Sequence, residues 1–139
     1  CLVAVNARRE MGADCRTKGV FEPASLLTMN EKLRCAARLH SKDMAVRKFF
    51  DHTNPDQKEP RERIAAQKFY GWSFLGENIA AGYKTVEEAM AAWMGSDGHC
   101  ANVMNPGFSE VGIGFFNAVV AEIDSEHRYY WTQDFAKTD

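Results

Sequence analysis

The chain has 139 residues, 45% hydrophobic and 26% charged, with a net charge of −2 and a pI near 6.1. That length buries a core of its own, and no basic run supplies a field for nucleic acid. No apolar stretch reaches the ~18 residues that a membrane span requires. With no repeats or linkers, residues 1–139 read as one domain, expected to be a monomer.

The opening "CLVAVNARRE" reads as helix rather than as a signal peptide, so a mature or trimmed form is expected. That helix carries Leu2, Val5 and Met11 and ends near Gly12. The segment "GVFEPASLL" is a loop. Asn30 is a natural N-cap for a long helix whose apolar face is Leu33, Ala36, Ala37, His40, Met44 and Phe49. "DHTNPDQKEP" is a turn-rich loop, and Pro60 sits near the first turn of a short helix, "RERIAAQKF". "GWSFLGENIAAGY" is extended or irregular between glycines. Thr85 and Glu88 form a capping box before a helix with Val86, Ala89, Met90 and Trp93 on its buried stripe. That helix should break at "SDG". Two strand-like runs close the chain, "EVGIGFFNAVVAEI" and "RYYWTQDFA", joined by a turn at "DSEH" into a hairpin. Helices followed by antiparallel strands predict a layered α+β domain.

Four cysteines, Cys1, Cys15, Cys35 and Cys100, include no Cys-x-x-Cys pair, which speaks against structural zinc or thioredoxin chemistry. Two disulfides in an oxidising compartment are expected. Of three connectivities, Cys35–Cys100 with Cys1–Cys15 is favoured, worth roughly 4 and 3 kcal/mol on a chain-entropy basis. A lipidated Cys1 is the alternative, though it leaves an odd cysteine.

Three polar residues stand at element ends: His52 after "FFD", Glu77 in "LGENIA" and His99 after "SDG". Two neutral imidazoles and a carboxylate suit a divalent cation such as Zn²⁺ with an open position. Their spacing alone equally fits three separate hydrogen-bonded residues. His40, on an apolar helix face, reads as a satisfied core histidine, and His127 as solvated in the hairpin turn. A nucleophilic pair Ser96–His99, oriented by Glu77, is the weaker chemistry, because no Gly-x-Ser-x-Gly elbow is present. Cys100 beside His99 is read as structural, since adjacent helical side chains diverge by about 100°.

In order, "HSKDMA…FFDHTNPD", "GENIAAG", "AWMGSDGHCANVMNP", "EVGIG" and "YYWTQDF" resemble the CAP superfamily, which includes cysteine-rich secretory proteins, venom allergens and plant pathogenesis-related proteins. The bacterial single-domain branch looks nearest. The resemblance implies a three-layer α–β–α sandwich with a central antiparallel sheet and a secreted, extracellular or periplasmic-surface location. It implies a cleft in which His52, Glu77 and His99 match three of the family's four polar residues, with His52 and His99 as metal ligands for Zn²⁺ or another divalent cation. The family's second glutamate falls at Ser96, counting from Trp93, which weakens any mechanism needing all four groups. The expected function is an extracellular binding domain for a small amphipathic ligand, a lipid or sterol, or a surface protein. The alternative is a metal-assisted protease or esterase using His52, Glu77 and His99, with Ser96 as a weaker participant.

Overall fold

The computed structural model describes residues 1–138. In chain order the elements are α1 (Leu2–Met11), β1 (Ala13–Asp14), β2 (Val20–Phe21), β3 (Thr28–Met29), α2 (Glu31–Val46), α3 (Pro60–Ala66), β4 (Trp72–Ala81), α4 (Val86–Met94), α5 (Asp97–Met104), β5 (Glu110–Asn117) and β6 (Tyr129–Thr138). A four-stranded sheet runs β3-β5-β6-β4, antiparallel except for the short β3–β5 pairing; β1 and β2 form a separate ribbon.

The sheet lies between two helical layers. On one face α4 and α5 pack with α1 over Val111, Ile113, Trp131 and Phe135. On the other, α2 crosses β5 and β6, with α3 beside it, over Ala136, Tyr130 and Ile79. This is the expected α–β–α sandwich.

Local chemistry explains most boundaries. The Asn30 side chain accepts from the Lys32 and Leu33 amides, starting α2. Its residues Leu33, Ala36, Ala37, His40 and Met44 are all buried, as their spacing requires, whereas Phe49 lies beyond the helix end. Thr85 Oγ1 accepts from the Glu88 amide, and Glu88 accepts from the Lys84 amide, fixing the start of α4. Helix α1 stops at Gly12, φ 73°, where an added Cβ would stand 2.8 Å from the Phe21 carbonyl oxygen.

Two glycines set the α2 layer against the sheet. A Cβ on Gly112 would meet the Leu33–Arg34 backbone at 2.1 Å, and one on Gly114 the Arg38 amide at 2.3 Å. The alternating glycines of "VGIG" therefore let helix backbone rest directly on β5.

Several expectations are corrected. Of the two readings of "GWSFLGENIAAGY", the extended one holds: it contains the ten-residue edge strand β4, paired with β6 with one register shift between Trp72 and Phe74. The first strand of the hairpin ends at Asn117 rather than near Ile123, because Asn117 Oδ1 caps the following turn at the Val119 and Val120 amides. At "SDG" the chain breaks after α4 but restarts at once as α5.

The disulfide pairing is also different. Cys15 bonds Cys100, while Cys1 and Cys35 are free and exposed. Cys15 and Cys100 are both fully buried in the α1–α4–α5 layer. Cys35 sits on the solvent face of α2, on the opposite side of the sheet, out of reach of Cys100.

Arg9 has a structural role the sequence did not reveal. Fully buried, it donates to the carbonyls of Ser25, Val103, Asn105 and Phe108, tying α1 to the end of α5. Four carbonyl acceptors stand in for a carboxylate partner, and burial lowers its pKa.

Candidate functional site

The site is organised around edge strand β4. Side chains alternate across a strand, so Glu77 points toward the α2–α3 layer and Asn78 toward α5. Glu77 is only 2% exposed at its side chain. Each of its oxygens has a partner: His52 Nδ1–H donates to Oε1 at 2.8 Å, and Arg63 Nη2 donates to Oε1 and Oε2 at 3.0 and 2.9 Å. Arg63 Nη2 also reaches the His52 carbonyl at 2.7 Å, which fixes the loop carrying the histidine.

A second carboxyl lies beneath. Asp134 is the register partner of Glu77 on β6 and is fully buried. As two carboxylates this pair would have no hydrogen bond to make, and the Asp134 oxygens have no other partner among the described residues. Burial and the Glu77 charge push the Asp134 pKa well up, which favours the protonated acid and makes its O–H a donor available to Glu77. Burial alone would raise the Glu77 pKa too; the hydrogen bonds from His52 and Asp134 and the Arg63 charge outweigh it and hold Glu77 at about 2.

The histidines respond in opposite directions. The hydrogen bond to Glu77 raises the His52 pKa, with burial opposing. Burial lowers that of His99, and the nearby His52 charge lowers it further. Through Nδ1, Glu77 fixes the His52 tautomer and leaves Nε2 turned outward on a half-exposed ring.

His99 occupies the first turn of α5, its carbonyl accepting from Asn78 Nδ2 at 3.1 Å. It lines a cavity of about 320 Å³ with Phe50, Tyr83, Trp93, Ser96 and His127. Ser96 stands at the N-cap of α5 with its hydroxyl capping nothing. His52 borders a neighbouring groove instead. The structure thus brings His52 directly onto Glu77, while His99 faces the same strand edge from the opposite layer without a hydrogen bond to either.

This geometry bears on the expected ligand set. Among the described residues no three His, Cys, Asp or Glu side chains are grouped to hold a metal ion. Glu77, with both oxygens occupied by Arg63 and His52, does not fit as a ligand. Glu77 stands instead behind His52, as the carboxylate that orients its ring.

Two residues that sequence reasoning passed over join the site. Arg63 and Asp134 complete the Glu77 network. His127 is not solvated but half-buried, edge-on to Tyr130 and beside Phe50. His40 is only half-satisfied: Nε2–H donates to the Asp51 carbonyl at 2.9 Å while Nδ1 has no partner. One signal was available, since Thr132, Gln133 and Asp134 are three consecutive polar residues within a strand flanked by sheet on both sides.

An α–β–α sandwich with a histidine–carboxylate cluster at its sheet edge defines the class, and the family follows. Residues 4–135 match the model of the cysteine-rich secretory protein family, CAP, and the chain belongs to that family. Among curated relatives, YkwD of Bacillus subtilis (strain 168) is 39% identical over 111 residues, covering 78% of this chain and 38% of YkwD. The membrane protein YlbC of the same organism is 29% identical over 98 residues, 70% of this chain and 25% of YlbC. The chain therefore spans well under half of these relatives. Among solved structures, an extracellular protein containing an SCP domain from Bacillus anthracis superposes with a TM-score of 0.70 at 29% identity, covering 83% of this chain and 35% of that one. An outer surface protein of Borrelia burgdorferi gives 0.70 at 17% identity, with coverages of 84% and 80%, and shares the fold.

Proposed function

We propose that this CAP domain is an extracellular binding module, with a small amphipathic ligand or a surface partner engaging the β4 edge. The cavity beside His99 carries the reading: Phe50, Tyr83 and Trp93 supply apolar walls, and Ser96, His99 and His127 supply a few convergent polar groups. Extracellular placement draws on the extracellular and outer-surface relatives of the fold. Among the described residues no helix is long and apolar enough to cross a membrane.

Within this reading, His52 and His99 hold a divalent cation such as Zn²⁺ through two imidazoles, with its other positions open to ligand. Glu77 acts from behind, orienting His52. The same arrangement weighs against a hydrolase with Glu77 as base, because a carboxylate held at about 2 is a poor proton acceptor near neutral pH. The test is a panel of amphipathic ligands titrated against the domain, with and without zinc, followed by the amide shifts of the residues lining the cavity. Saturable shifts centred on Ser96, His99 and Tyr83 support the module. Protease or esterase turnover abolished by Glu77→Gln would replace it with the hydrolase.

A further inference from the structure

The sheet has a second edge, away from β4, and only part of it is covered. Strand β3 pairs with β5 at Glu110 and Val111 and stops at Met29, so among the described residues no strand faces β5 from Gly112 to Asn117. The Thr28 amide donates to the Ser109 carbonyl and the Asn30 amide to the Val111 carbonyl, each at 3.0 Å. Backbone groups alternate across a strand, so Ile113 and Phe115 turn their N–H and C=O toward that same edge. Phe115 is 41% exposed. Above the edge runs a flank of α2 with three basic side chains about one turn apart, Arg34, Arg38 and Lys42, which line a groove of about 340 Å³ with Phe115 and Phe116. Arg38 and Lys42 are exposed and make no ion pair among the described residues. Arg34 holds only the exposed Glu31, at 3.3 Å, the single acid in the groove. Cys35 and Leu39 complete its wall.

Helix and strand advance here in step. A Cβ on Gly112 would meet the Arg34 amide and one on Gly114 the Arg38 amide, so two residues of β5 match four of α2. Those lengths are about 6.8 and 6 Å. One step further, Lys42 comes beside Phe116. A strand laid along the open edge therefore has alternate side chains beneath Arg34, Arg38 and Lys42. The residues between them point to the other face, where the Phe115 ring lies against Trp131 with 4.4 Å between centroids. We propose that this edge docks an extended segment of a partner protein in which acidic residues alternate with apolar ones. The segment joins the sheet beside β5 through backbone hydrogen bonds, its carboxylates meet the basic row, and its apolar side chains cover Phe115. An anionic glycan would satisfy the cations but leave the backbone groups of Phe115 unpaired.

The full domain is titrated with the blocked peptide acetyl-Glu-Val-Glu-Val-Glu-Val-amide and followed by amide shifts. Saturable binding with a Kd on the order of 0.1 mM is expected, with shifts centred on Phe115. Bound peptide also covers Cys35, so alkylation of that thiol should slow, while that of the exposed Cys1 at the start of α1 stays the same. Acetyl-Glu-Glu-Glu-Val-Val-Val-amide keeps the composition without the alternation and should bind at least about tenfold more weakly. The alternating peptide with every amide N-methylated has no donors for the edge and should lose at least about tenfold as well. Arg38→Glu combined with Lys42→Glu reverses two exposed, unpaired charges, which leaves the fold intact and should weaken binding at least about tenfold. No saturable shift at Phe115, equal affinity for the unalternated peptide, or full affinity in the charge-reversed variant would overturn the site. Equal affinity for the N-methylated peptide would contradict strand addition and leave a groove for polyanions. None of these results depends on zinc or on the cavity beside His99.

Discussion

His52 and Glu77 act as one unit, and the direction of each pKa shift says how. Glu77 ionises below its unfolded value of about 4.3, so its contribution to stability is complete above that pH and is lost as pH falls toward about 2. His52 is shifted upward by the Glu77 hydrogen bond, so its contribution is complete below about 6.5 and is lost as pH rises through the folded value. The His52 ring should therefore titrate above 6.5 in an NMR pH series and fall clearly in Glu77→Gln; an unmoved midpoint would mean the two do not interact. Burial and the Glu77 charge favour the protonated form of Asp134, so Asp134→Asn keeps a donor to Glu77 and should hold or gain stability at pH 7.5. A loss of more than about 2 kcal/mol in urea unfolding would show that the charge, not the proton, is needed there. At this scale the sequence showed His52, Glu77 and His99 as polar residues at element ends. It hid Arg63 and Asp134, because the first lies on an ordinary short helix and the second reaches Glu77 only through strand register.

The elements that carry the site were legible where a local signal exists. Asn30 and Thr85 cap α2 and α4 with side-chain hydrogen bonds, and those helices begin where the sequence placed them. Helix α5 was missed because Ser96 makes no side-chain cap bond and Gly98 sits in its first turn, so "SDG" carried only the signal of a break. The β4 segment read as extended or irregular, without a choice between them, because its pattern mixes exposed and buried positions. The close seat of α2 on β5 makes a sharp forecast: Gly114→Ala drives a methyl into the Ala37–Arg38 backbone. It should cost at least about 3 kcal/mol by denaturant unfolding, or prevent folding. A loss below about 1 kcal/mol would mean the helix can shift outward freely.

Across the whole molecule, the Cys15–Cys100 bond joins positions separated by 85 residues and ties the β1–β2 ribbon to the helix that carries His99. Its chain-entropy value is about 4 to 5 kcal/mol, so the double Cys15→Ala, Cys100→Ala variant should unfold at markedly lower denaturant. Alkylation under denaturing, non-reducing conditions should label Cys1 and Cys35 alone. The favoured alternative pairing failed for a reason of layers: spacing along the chain cannot tell which face of the sheet a cysteine occupies, and Cys35 is on the wrong one. The same limit applies to the two histidines, which approach the edge of β4 from opposite layers.

Calorimetry with zinc at pH 7.5 on the wild type and on His52→Ala, His99→Ala and Glu77→Gln tests the site most directly. The account predicts one saturable event, lost in both alanine variants and weakened at least about tenfold in Glu77→Gln, where His52 is unsupported rather than missing. It predicts that affinity declines from above pH 6.5 downward, because the proton that zinc must displace from His52 is held unusually well. No zinc binding in the wild type, or binding unchanged in His52→Ala, would contradict it.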